Sequence, residues 1–158
     1  MLDTVFIENT DWESTRSMVN AITAGETDTI ANMANISAIL WQSLRDINWV
    51  GFYRVVDQQL VLGPFQGKPA CIRIPFGKGV CGTAAVEKRV LRIGDVHEFE
   101  GHIACDAASN SEIVLPIIKD GEVIAVLDID SPNYDRFTEV DEAQLKLLIN
   151  SFSDTLAK

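Results

Sequence analysis

Asp120-Gly121 constrains the fold more than any other pair of residues in this chain. It separates two apolar runs, 112–119 and 122–130. In that setting Asp-Gly is the strongest short signal for a β-hairpin, because both residues accept the positive φ of a two-residue turn. The second run leads to Thr138, which can cap a helix, with Asp141 at its third position in a capping-box-like arrangement. Leu145, Leu148, Ile149 and Phe152 then recur at helical spacing, giving that helix an apolar stripe to lay on a sheet.

Upstream, two helices and a set of short strands are legible. Residues 11–23 form a short helix after Asp11, with Met18, Val19 and Ile22 on one side. A longer helix spans 28–45, where Met33, Ile36, Leu40 and Leu44 repeat at helical spacing beside Ile39 and Trp41. Strand signals cover 47–56, with a turn at Asp57-Gln58-Gln59 and a return strand over Leu60–Leu62 that Gly63-Pro64 should end. A strand over 71–74, a turn at 75–79, a helix over 80–88 and a brief strand over 90–93 complete this half. The order predicts an α+β domain: a mostly antiparallel sheet with helices chiefly on one face. Residues 1–158 fit one domain, with 1–23 as an N-terminal helical segment.

Charge removes several function classes. Thirteen basic against 23 acidic residues give a net charge of -10, which disfavours nucleic acid and an anionic membrane surface as partners. The start, Met1-Leu2-Asp3-Thr4-Val5, lacks the basic and apolar regions of a signal peptide. No apolar run is long enough to span a bilayer, so a cytoplasmic location is expected. Thiols stay reduced in that compartment. Cys71, Cys81 and Cys105 form no Cys-x-x-Cys pair, which leaves structural zinc without support.

Three features could carry chemistry. In the strand 47–56, period two puts Trp49, Gly51 and Tyr53 on one face. Two rings flanking a glycine would leave a slot for a thioether, a methyl group or an ammonium. In the strand 122–130, Val123, Ala125, Leu127 and Ile129 share one face. The other carries Ile124 and Val126, then Asp128 and Asp130, whose carboxylates lie roughly 7 Å apart. Carboxylates that close in a pocket cannot both ionise easily, so one should hold a proton, and Glu112 on the paired strand can join them.

The third feature is the irregular segment 94–110, long enough that its lack of structure suggests function or disorder. It contains Cys105 among small polar residues. His102 would favour a thiolate there and Asp106 would oppose it. Cys81, near a helix start, should have a lowered pKa. Gly77-Lys78-Gly79-Val80-Cys81-Gly82 lacks the phosphate-loop pattern and reads as turn chemistry ahead of a helix.

Taken together, Ile47–Tyr53, Leu62–Lys68, Gly79–Ala84, the Cys105 loop and Leu127–Ser131 resemble the free methionine-(R)-sulfoxide reductases, small enzymes on a GAF scaffold. The resemblance implies a six-stranded GAF sheet. It implies Cys105 as the catalytic thiol, Cys71 as its resolving partner and Cys81 as an auxiliary third cysteine. Trp49, Tyr53, Glu112, Asp128 and Asp130 match the substrate pocket. It further implies free methionine sulfoxide as substrate and thioredoxin as reductant, with neither metal nor organic cofactor; a homodimer is compatible with it. A ligand-binding GAF sensor and a thiol peroxidase are the rival readings.

Overall fold

The computed structural model describes residues 9–102 and 108–156. Among them, six strands form one antiparallel sheet in the order β3-β2-β1-β6-β5-β4. In chain order the elements are α1 (Trp12–Thr23), α2 (Thr29–Ser43), β1 (Trp49–Val56), β2 (Gln59–Gly67), β3 (Arg73–Pro75), α3 (Gly79–Glu87), β4 (Leu91–Ile93), β5 (Ser111–Lys119), β6 (Glu122–Ser131) and α4 (Glu139–Thr155). A 3-10 turn, Val96–Glu98, follows β4.

The sheet divides two cores. On one side α1, α2 and α4 cover Val50, Phe52, Leu115, Leu127 and Ile129. On the other, α3 covers Leu60, Ile74, Val114 and Val126, together with Trp49 and Tyr53. The expected α+β architecture is therefore present, with three of the four described helices on one face.

Local chemistry sets the helix ends. Asp11 and Asp28 cap α1 and α2 through side chains that accept from Ser14 and Ala31 amides. Thr138 and Asp141 form a reciprocal capping box on α4. The stripe of α2 is buried as expected, whereas Trp41 is left 40% exposed. In α1 the inward face is Trp12, Thr15, Val19 and Thr23; Met18 and Ile22 point outward instead. The two threonines can be buried because their hydroxyls bond to Asp11 and Val19 carbonyls one turn back.

Two bulges revise the strand readings. β2 continues through Gly63-Pro64 to Gly67. Its register against β1 slips where Gly51 faces Phe65 and Tyr53 faces Leu62, which places the proline in a bulge that tolerates a missing donor. The β5–β6 pair slips between Ile117 and Ile118, opposite Ala125 and Val123. The extra residue, Ile124, reverses the parity of the strand start. Val123 therefore joins the α3 core and Ile124 packs on the α1/α2/α4 side. From Ala125 onward the expected alternation holds, so Asp128 points to the α3 side. The Asp120-Gly121 turn has φ of 51° and 81°, as its type requires.

Candidate active site

The site lies on the α3 face of the sheet. Strand parity puts Trp49, Gly51 and Tyr53 there, and the two rings are 3% and 2% exposed. The slot expected between them is closed. Their centroids are 5.9 Å apart at an interplanar angle of 24°. A guest between two rings needs about 7 Å, one van der Waals contact on each side. Gly51 admits the tryptophan's own ring: a Cβ there would lie 2.8 Å from Cη2 of Trp49 and would collide with the Cβ of Phe65. Phe65 stacks on Trp49 with centroids 5.3 Å apart. The rings form a wall, pinned by Trp49 Nε1 donating to the Lys68 carbonyl at 3.1 Å and the Tyr53 hydroxyl donating to the Cys71 carbonyl at 2.9 Å.

Facing that wall is an acidic cluster that register dictates. β6 is central, between β1 and β5, so Asp128 lies beside both Gly51 and Val114 and Asp130 beside both Trp49 and Glu112. Asp128 is 5% exposed, while Glu112 and Asp130 keep partial exposure. The three carboxylates, the two rings, Lys78, Cys81 and His102 line one cavity. Ser109, 6% exposed, bonds through its hydroxyl to Asn48, tying the residues just ahead of β5 to those just ahead of β1.

Burial dominates the electrostatics. Removal from water pushes Asp128 well above the carboxylate range, and the charge of Asp130 adds to this. Glu112 is likewise pushed well up, first by burial and then by the charge of Asp128. Both carboxyls are therefore easier to protonate than exposed ones. Tyr53 is held in its neutral, donating form by burial and by Asp128.

Cys81 reverses its expectation. It sits in the first turn of α3, yet burial and the neighbouring carboxylates push its thiol well up. The helix terminus is outweighed because the thiol is 5% exposed and faces negative charge. His102 is shifted down, by burial and then by His97, which favours a neutral imidazole.

The structure thus brings Trp49, Tyr53, Cys81, Glu112, Asp128 and Asp130 to one cavity. Cys71 precedes β3 and is disulfide-bonded; its carbonyl meets Tyr53. Cys105 lies outside the described residues. Sequence reasoning missed Phe65, for which the period of β2 gave no signal across the bulge, and Lys78, whose place beside the cavity follows from preceding α3.

The chain is similar to several known proteins. Residues 32–157 match the GAF domain family. An Escherichia coli free methionine-R-sulfoxide reductase is 59% identical over 87% of this chain and 84% of its own length. A Staphylococcus aureus fRMsr in complex with substrate superposes with a TM-score of 0.90 at 48% identity, covering 94% of this chain and 97% of that one. A Neisseria meningitidis free methionine-R-sulfoxide reductase, in complex with its substrate, gives 0.88 at 42% identity over 91% and 87% of the two chains. With identity of this extent, and a ring-walled, acid-lined cavity on a GAF sheet, the chain belongs to the free methionine-(R)-sulfoxide reductase family.

Proposed function

We propose that the chain reduces free L-methionine-(R)-S-oxide to L-methionine, with Cys105 as nucleophile and thioredoxin as the ultimate reductant. The observation that carries this reading is the placing of two carboxyls, Glu112 and Asp128, in a ring-walled cavity whose burial pushes both pKa values up. A sulfoxide sulfur is electrophilic, but its oxygen leaves only when protonated. A buried acid whose pKa is pushed up by its surroundings is suited to that task.

In the proposed sequence Cys105 attacks sulfur as the thiolate while a carboxyl of the cluster protonates the oxygen. The protonated oxygen departs as water, leaving Cys105 bonded to the methionine sulfur as a thiosulfonium. Water then attacks Cys105 Sγ, the S–S bond breaks, methionine departs with its electron pair, and Cys105 is left as a sulfenic acid. Cys71 condenses with that sulfenic acid, giving a disulfide and water. Thioredoxin dithiol then restores both thiols by exchange. Cys81, with its thiol pushed up, takes no part as attacking thiolate and serves as an auxiliary group. The acidic cluster also suits the substrate ammonium. A cytoplasmic location and a homodimer belong to the same proposal.

The test is dithiol-dependent consumption of free methionine-(R)-sulfoxide, run beside the S form and a peptide-bound sulfoxide. The R form should be consumed at least ~100-fold faster than either, and Cys105→Ser should abolish turnover. Binding without consumption would move the assignment to a sensor, and faster turnover of peroxide would move it to a peroxidase.

A further inference from the structure

A free thiol and two carboxylates converge in the cavity. Cys81, Glu112 and Asp128 each offer a ligand atom, and these atoms lie within 4.8 Å of one another. They come from three rigid elements: the first turn of α3, the start of β5 and the middle of β6. Asp128 is 5% exposed, and its Oδ1 has no hydrogen-bond partner among the described residues. A buried carboxylate oxygen without a donor is costly unless something positive meets it.

We propose that Cys81, Glu112 and Asp128 form a binding site for a thiophilic divalent cation, with zinc the best match. One thiolate and two carboxylates give three protein ligands and leave a fourth tetrahedral position open. Calcium and magnesium want six or more oxygens and do not suit a sulfur ligand. Copper(I) prefers a site with more sulfur. Ligand atoms around zinc stand about 3.3–3.7 Å apart, from bonds of 2.0–2.3 Å. The 4.8 Å limit on the present spacing leaves the three atoms to draw in by about 1 Å on an ion. Asp128 also shares hydrogen bonds with Asp130, Glu112 and Cys81, so an ion would displace the protons those bonds hold. The same atoms line the cavity assigned to the sulfoxide, so on that reading ion and substrate exclude each other. The site itself rests on the geometry alone.

Cobalt(II) reports on such a site directly. The full-length, reduced protein is stripped of metal and titrated with cobalt chloride. A thiolate-to-cobalt charge-transfer band and strong four-coordinate visible absorption should grow together and saturate at one ion per chain. Zinc chloride should bleach both, and a ~100-fold excess of magnesium should not. Cys81→Ala, a mild change for a small buried thiol, should remove the charge-transfer band, whereas Cys105→Ser should keep it. Glu112→Gln and Asp128→Asn should each weaken cobalt binding by about 10-fold or more, with circular dichroism confirming the fold of each. The proposal is overturned by the absence of a thiolate band in the reduced wild type, by a band that survives in Cys81→Ala, or by undiminished affinity in a folded carboxylate variant. None of these outcomes touches sulfoxide turnover, so this site and the proposed activity stand or fall separately.

Discussion

Gly51 shows how one missing side chain organises the site. Its position on a central strand places Trp49 across the gap, and Phe65 and Tyr53 complete the wall. Gly51→Ala would force the tryptophan and Phe65 apart. Its expected cost is about 1–3 kcal/mol of stability, the usual penalty for overpacking. Urea unfolding checks the stability, and a several-fold rise in KM should accompany the loss. Tyr53→Phe isolates a single contact on the same wall. It removes the hydroxyl that donates to the Cys71 carbonyl at 2.9 Å while preserving the ring. The loss should be about 1 kcal/mol of stability. On the proposed mechanism, kcat should fall more than KM rises, because the bond positions the Cys71 segment and not the substrate.

At the scale of elements, α4 is held by one carboxylate. Asp141 accepts from the Thr138 amide at 3.0 Å, from an Arg136 guanidinium N–H at 3.1 Å and from Trp12 Nε1 at 3.3 Å. It closes the capping box and joins α1 to the segment that leads into α4. Thr138→Ala removes one cap and should cost about 1 kcal/mol. Asp141→Ala also removes a partner of the half-buried Arg136 guanidinium, which keeps its bond to the Arg45 carbonyl, and of the Trp12 indole N–H, and should cost about 2 kcal/mol. Thermal unfolding of the two variants distinguishes them: equal losses would mean that Asp141 acts only as a cap. The capping box was legible in sequence because its partners are three residues apart. Trp12 and Arg136 were not legible as partners, because tertiary packing alone brings them to Asp141. Strand parity behaves similarly. The faces of β1 and the end of β6 followed from period two, but the bulges at Pro64 and Ile124 moved β2 and Val123 away from their expected places. A bulge follows from the pairing partner, which a strand's own residues do not disclose.

At the scale of the whole molecule, the acidic cluster couples the site to stability. Its members come from separate strands, so period two could suggest Asp128 and Asp130, while their depth and their approach to Cys81 needed the folded sheet. Both Glu112 and Asp128 have pKa values raised above their ordinary 4.5 and 3.8 in the folded chain. Above those ordinary values the unfolded chain has released these protons and the folded chain still holds them. Fewer protons on the unfolded side make the slope of stability against pH negative. The cluster's favourable contribution is therefore fully present below about pH 4 and is lost as pH rises through the folded-state values. The net charge of -10 adds general repulsion of the same sign, so the wild-type slope alone is not diagnostic. The difference between chains is. Asp128→Asn and Glu112→Gln each keep shape and remove one titration, so each should flatten the decline in urea-unfolding free energy between pH 5 and pH 8. A wild-type slope retained in both cluster variants would mean that these carboxyls ionise freely in the folded chain, and the proton donor assigned to the sulfoxide oxygen would have to be sought elsewhere.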